Sequence, residues 1–251
     1  MRSTMFKYNQ IIKNILASLS VVIIITSLIY SVQVYSLNIG LFNNVEIHIS
    51  GNEYIDSQRI ESEIYPQMSS SLLSVNLADI QNKLESMNYI ETVQVSRILP
   101  HTLMIHIVER SPILLMNTAD AITFMDKNGI LLPADEKSIG IFPVPVLSIM
   151  DANVLNDQYM SAIVQCFQFI LNEYPLFYNN LSEVKIHAGV WVFYSDNNTT
   201  IYAYASSLIN QLITLKYFEN TVSPIRSLHD YSYIDLRIKD QIIVKEKYRK
   251  G

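Results

Sequence analysis

Hydrophobic and polar positions along this chain follow three successive patterns, and the first is an unbroken apolar run. From Ile15 to Leu37 no charged residue interrupts a stretch rich in Ile, Val and Leu. As a helix rising about 1.5 Å per residue, it is long enough to cross about 30 Å of hydrocarbon. It exceeds the apolar core of a secretory leader and no Ala-x-Ala site follows it, so a retained anchor is expected over residues 15–37. Arg2, Lys7 and Lys13 precede the run, and no Lys or Arg follows until Arg59. That asymmetry places residues 1–14 in the cytoplasm and the bulk of the chain across the bilayer. Tyr30 and Tyr35 fall where an interfacial aromatic belt would sit.

The second pattern mixes periods of two and of 3.6. Val45, Ile47 and Ile49 alternate with Glu46, His48 and Ser50, as in a half-buried strand, and Gly51-Asn52 turns the chain. Asp56 or Ser57 can cap a short helix carrying Ile60 and Ile64, which stops at Pro66. Asn76 can cap a second helix with Leu77, Ile80, Leu84 and Met87 on one face. Tyr89–Ile98 and Leu103–Glu109 read as two strands joined at Pro100-His101-Thr102. The predicted order is β-α-α-β-β.

From Ile113 the pattern changes to short strands and turns. Ala121–Met125 and Ile130–Leu132 flank Asp126-Lys127-Asn128-Gly129 as a hairpin, and Pro133, Pro143 and Pro145 mark an irregular connection. Asn156 or Asp157 opens a helix with Met160, Ile163, Val164, Phe167, Ile170 and Leu171 on one stripe, closed by Pro175. Strands are expected at Val184–His187, Val190–Tyr194 and Thr200–Ala203, then an amphipathic helix over Ala205–Phe218 with Leu208, Leu212 and Leu215. The chain ends with a strand over Tyr231–Ile238, a Lys239-Asp240 turn, a strand over Gln241–Val244 and a charged tail. The fold class is α+β: one spanning helix followed by two domains, the second mixed and ending in edge strands.

Composition narrows the chemistry. The 23 acidic and 18 basic residues give a net charge of -5 with no basic stripe, which argues against nucleic acid. Six glycines without a GxGxxG or Walker loop argue against nucleotide chemistry. The single cysteine, Cys166, occupies an apolar helical position and reads as a buried hydrophobe. The five histidines have no metal-binding spacing, although His48 and His106 each alternate with apolar neighbours and belong on the outer face of a sheet. Asp126 and Asp235 are expected at turns or strand ends as solvated carboxylates, and Glu109-Arg110 as a solvated pair. No catalytic, cofactor-binding or metal-binding set emerges, and no small-molecule substrate is implied.

Aromatics are abundant, with 16 tyrosines and 9 phenylalanines. Tyr202, Tyr204, Tyr217, Phe218, Tyr231 and Tyr233 crowd the last fifty residues, either to pack a helix on a sheet or to form an interface.

The segments Val45–Asn52, Val93–Pro112 and Asp126–Gly129, in that order and directly after an N-in anchor, resemble the FtsQ/DivIB family of bacterial cell-division proteins. The strand carrying Tyr233-Ile234-Asp235-Leu236-Arg237 is similar to the end of that family's β domain, although Ala203-Tyr204-Ala205 stands where the family often has a glycine. The resemblance implies a POTRA-like domain over residues 42–112, a β domain over 113–245 and a tail over 246–251. It implies a non-enzymatic scaffold, without cofactor, in the cytoplasmic (inner) membrane at the division septum. Such a scaffold holds FtsB-like and FtsL-like single-pass partners and other divisome membrane proteins, linking early and late division proteins to septal wall synthesis. The family's partner-binding strands carry over to Arg237, Ile238, Lys239, Asp240, Gln241, Ile242 and Ile243. Arg237 would pair with a partner carboxylate, and Ile242 or Ile243 would fill an apolar pocket. The rival readings are a POTRA-containing envelope assembly or secretion factor, and a membrane-anchored enzyme with an unrecognised site.

Overall fold

A computed structural model describes residues 2–40, 42–118, 121–149, 156–223 and 225–247. The chain divides into two compact units between Glu109 and Arg110, a few residues ahead of the border expected at Pro112. The fold is α+β, with an apolar helix first, as the hydrophobic pattern predicts.

Helix α1 runs Arg2–Ile39 and so takes in most of the expected tail as well as the apolar run. Its apolar part, Lys13–Tyr35, is 23 residues long, about 34 Å of ideal helix. The side chains of this stretch are exposed in the isolated chain. Ser18 and Thr26 donate their hydroxyls to the carbonyls of Asn14 and Val22, at 2.8 and 3.0 Å. These bonds satisfy the hydroxyls within the helix, as a lipid environment requires. Gly40, at φ +66°, adopts the left-handed conformation that commonly follows a helix end.

The first unit has the predicted β-α-α-β-β order: β1 (Glu46–Ser50), α2 (Ser57–Ile64), α3 (Leu77–Glu85), β2 (Ile90–Ile98) and β3 (Thr102–Glu109). Of the two candidate caps for α2, Asp56 is the one used, and Asn76 caps α3. Strand β3 lies between β1, to which it is parallel, and β2, to which it is antiparallel. Ile60, Ile64, Ile80 and Leu84 from the helices bury against Leu103, Ile105 and Ile107 of β3.

Glu109, expected as a solvated residue, accepts the backbone N–H groups of Glu53, Tyr54 and Ile55 at 3.1, 2.8 and 2.9 Å. Three backbone donors after a tight turn are thereby satisfied by one carboxylate.

The second unit is a nine-stranded mixed sheet. Its strands are β4 (Pro112–Thr118), β5 (Ile122–Asp126), β6 (Leu131–Pro133), β7 (Val146–Ile149), β8 (Leu181–His187), β9 (Val190–Ser195), β10 (Thr200–Tyr204), β11 (Tyr231–Asp235) and β12 (Ile243–Glu246). They lie in the order β12-β11-β10-β9-β8-β7-β4-β5-β6. Helices α4 (Glu136–Ile141), α5 (Asp157–Glu173), α6 (Pro175–Asn179) and α7 (Leu208–Val222) complete it. Asn156 caps α5 by accepting from the Tyr159 N–H.

Ile163, Phe167 and Ile170 of α5 and Leu208, Leu212 and Leu215 of α7 pack on Val184, Trp191, Phe193, Ile201 and Ile234. Those strand residues share one face, since Val184, Ile201 and Ile234 are linked through Phe193 and Ile201 in register. The opposite face carries Lys185, Val192, Tyr194, Tyr202 and Tyr233, which are half-buried or more open.

Several elements differ from the sequence expectation. The proline-rich connection contains α4 and the central strand β7, which the four residues Val146–Ile149 are too short to reveal by periodicity. Pro175 closes α5 and also starts α6, because proline suits a helix's first turn. Asp126 is 2% exposed rather than solvated. It pairs with Arg110 at 2.9 Å and accepts the N–H groups of Asn128 and Ile130 at 2.9 and 2.8 Å. Its carboxylate thus folds the Asp126–Gly129 turn around itself. Of the expected tail, Glu246 and Lys247 are described, and residues 248–251 lie outside the described residues.

A candidate partner-binding edge

Strand β12 closes one side of the large sheet and, among the described residues, pairs only with β11. Asp235 faces Ile243, Ile234 faces Val244 and Tyr233 faces Lys245, after which the register shifts toward Tyr231 and Glu246. Among the described residues no strand neighbours the outer row of β12 backbone groups, a template to which another strand can add.

Of the seven residues predicted for this site, only Ile243 lies in a strand. Residues 237–242 form the connection between β11 and β12, where the sequence pattern predicted strand continuing through Ile238. Asp235 provides the physical reason. Its Oδ1 accepts the Arg237 N–H at 3.0 Å and Nε–H at 2.9 Å, while Oδ2 accepts from Nη2 at 2.6 Å. A carboxylate that bonds the backbone two residues on replaces the ladder with a local turn. Asp240, at φ +58°, supplies the second reversal in a conformation that aspartate tolerates better than most residues.

The Arg237 guanidinium lies 5.0 Å from the Tyr202 ring centroid and 6.0 Å from that of Tyr204, near enough for cation–π attraction. The hydrogen bonds from Arg237 hold the Asp235 carboxyl below the usual range, with burial opposing them, and the same bonds raise the Arg237 guanidinium.

Beside this clamp is a groove of about 630 Å³, walled by Asn210, Gln211 and Thr214 of α7, by Tyr204 and by the 236–242 connection. Gln211 Oε1 accepts the Tyr204 N–H at 2.7 Å and fixes the start of the helix against the strand end. Lys239, Asp240 and Gln241 are exposed around the groove. Ile238 and Ile243 are 44% and 38% exposed, whereas Ile242 and Val244 pack partly on the unit's own core. The available apolar contacts are therefore Ile238 and Ile243. The Ala203-Tyr204-Ala205 junction needs no glycine, because Tyr204 has extended backbone angles and Ala203 is buried on the core face.

Sequence reasoning missed the Asp235–Arg237 clamp, although two residues spaced by two on a strand share a face and could have signalled it. Gln211 carried no such signal. Elsewhere, burial pushes the Cys166 thiol well above its usual range, so it is held as a thiol and not as a nucleophilic thiolate. Register puts His48 opposite Met104 and His106 opposite Ser50 on the open face of the small sheet, with Ser50 Oγ 3.1 Å from His106 Nδ1. Among the described residues, no three His, Cys, Asp or Glu side chains converge to hold a metal ion.

Residues 42–110 match the family model "POTRA domain, FtsQ-type". The cell division protein FtsQ of Rickettsia bellii is 28% identical over 82% of this chain and 73% of that protein. The cell division protein DivIB of Clostridium acetobutylicum is 28% identical over 38% of this chain and 39% of its own length. Among solved structures, the major extracytoplasmic domain of DivIB from Geobacillus stearothermophilus aligns over 47% of this chain and 98% of that one. The identity is 14% and the TM-score 0.31, a superposition too loose to add to the sequence relatives.

Proposed function

We propose that this relative of the FtsQ and DivIB cell-division proteins acts in division as a membrane-anchored, non-enzymatic scaffold. Its N-terminus is cytoplasmic and its two folded units lie on the outer side of the inner membrane, at the septum. The open β12 edge receives a strand from a small single-pass partner of the FtsB type, with an FtsL-type protein held in the same assembly. The names of the relatives support the division role, and the charge asymmetry around the apolar helix supports the orientation.

The observation that carries the binding mode is the coincidence of an unpaired edge strand, two exposed isoleucines and an adjacent polar-rimmed groove. Backbone ladder bonds supply affinity in strand addition, and side-chain pockets supply specificity. Arg237 acts from within its clamp, as a guanidinium oriented by Asp235, and offers its remaining donors to an acidic partner side chain. Tethering both proteins to one membrane raises their effective concentration, so a modest edge contact suffices.

Co-purification tests this reading. Ile238→Asp with Ile243→Asp should abolish recovery of the FtsB-type partner while the buried Trp191 keeps its native fluorescence. Undiminished recovery with both substitutions in place would refute strand addition at β12.

A further inference from the structure

The end of the small domain nearest the anchor carries apolar side chains that its own core does not use. Ile98 and Leu99, at the tip of the β2–β3 hairpin, are 50% and 61% exposed, and Leu73, in the short 3-10 turn Leu72–Ser74, is 51% exposed. Isolated exposed hydrophobes are ordinary on a protein surface. All three belong to one end of the domain: Arg97 donates from Nε to the Leu72 carbonyl at 3.0 Å and from Nη2 to that of Val75, which ties the base of the hairpin to the 3-10 turn, while Ile98, paired with Thr102, is on the other face of the sheet from Arg97.

The same end is where the chain arrives from α1. Ile98 faces Thr102, which in turn faces Glu46, the first residue of β1. The Glu46 N–H donates to the His101 carbonyl at 2.9 Å, and the Leu72 N–H donates to that of Phe42 at 2.8 Å. Asn43 bridges to Ser71. Only residues 40–45 separate α1 from β1, and a segment of that length spans at most about 25 Å when fully extended. Gly40 and Asn43 are drawn together, since the Asn43 N–H donates back to the Gly40 carbonyl at 2.9 Å. The hairpin tip and Leu73 are thus held close to the point where α1 leaves the hydrocarbon.

We propose that Ile98, Leu99 and Leu73 form an apolar wedge that dips into the interface of the bilayer crossed by α1. The wedge gives the domain a second, non-covalent contact with the membrane. The occupant is lipid because the chain itself delivers this end of the domain to the membrane surface. At the tip, Glu46 is beside His101, at 3.5 Å, and the cation Arg97 is committed to carbonyls. The contact therefore depends on apolar burial and not on anionic headgroups. Seating the wedge fixes the domain against the membrane and cuts the freedom that a single flexible tether would leave.

The inference rests on the membrane-anchored reading above, and depth-dependent quenching separates the two. The full chain is reconstituted into phosphatidylcholine vesicles with or without acyl-brominated lipid. An environment-sensitive maleimide dye is attached at Leu99→Cys, at Glu53→Cys on the opposite end of the domain, or at Ile25→Cys in the middle of α1. Unlabelled Cys166 is buried, and the parent chain measures its background. Brominated lipid should cause a loss of fluorescence, and the bilayer a blue shift, at Leu99→Cys and Ile25→Cys but not at Glu53→Cys. Quenching at Ile25→Cys with Leu99→Cys as bright as Glu53→Cys overturns the wedge, and failure to quench Ile25→Cys overturns the anchor. As a second arm, a dye at Leu73→Cys should lose its quenching when Ile98 and Leu99 are both replaced by Asp; retained quenching contradicts a shared wedge.

Discussion

Arg237 and Asp235 form a two-pronged pair within one strand end, with Nε to Oδ1 at 2.9 Å and Nη2 to Oδ2 at 2.6 Å. The pair converts what would be a continuing strand into the mouth of a groove, and it aims the guanidinium along the faces of Tyr202 and Tyr204. The groove is thereby shaped by contacts within the chain itself.

Removing the clamp should harm binding more than folding. Arg237 is partly exposed, and an exposed ion pair contributes no more than about 1 kcal/mol. Arg237→Ala should therefore lower the unfolding free energy by less than that, while partner affinity, measured by titration calorimetry, falls by about tenfold or more, as for loss of a charged contact.

The clamp also has a pH signature. The Asp235 carboxyl is held below its ordinary pKa, so its contribution is fully present above the ordinary carboxylate range, near 4, and is lost as pH falls through the lower folded value. Above that range wild type should be more stable than Asp235→Asn, and the difference should shrink on acidification. Parallel denaturant titrations across the acid limb measure it.

Arg110 should matter far more than its strand-end position suggests. Asp126 is buried, and taking away its partner leaves an uncompensated charge at a cost of about 3–5 kcal/mol. Arg110→Ala should lower stability by that order, with Arg110→Ala combined with Asp126→Asn recovering part of the loss. Trp191, the single tryptophan, is buried in the same unit and reports its unfolding by fluorescence.

Gly51 is a backbone requirement. Its φ is +82°, and an added Cβ would come within 2.1 Å of the Ile107 carbonyl oxygen. Gly51→Ala should destabilise the first unit by more than the ~1 kcal/mol of an unfavourable φ alone. Amide exchange of β3 should accelerate, with exchange in the nine-stranded sheet unchanged.

Periodicity over five or more residues revealed the first unit and the main helices, because each buries a regular face, and an unbroken apolar run revealed α1. It failed where structure depends on side chains that bond backbone. Asp126, Glu109 and Asp235 all look like solvated carboxylates in sequence, yet each organises a turn or loop by accepting N–H groups. Strand β7 was hidden for a different reason: flanked by parallel neighbours β4 and β8, it is stabilised by partners distant in sequence. At the candidate site the sequence pattern predicted strand through Ile238, whereas residues 237–242 form a connection whose turn Asp235 sets by bonding Arg237. Ile242 faces the core, and Arg237 already has an internal partner.

Site-specific photocrosslinking in dividing cells is the most direct test of the central claim, that the β12 edge is the docking strand. A photoreactive amino acid at Ile243 should crosslink to a small single-pass division protein, whereas one at Leu131, on the β6 edge at the other side of the sheet, should not. Crosslinking to that protein from Leu131 and none from Ile243 would contradict the account.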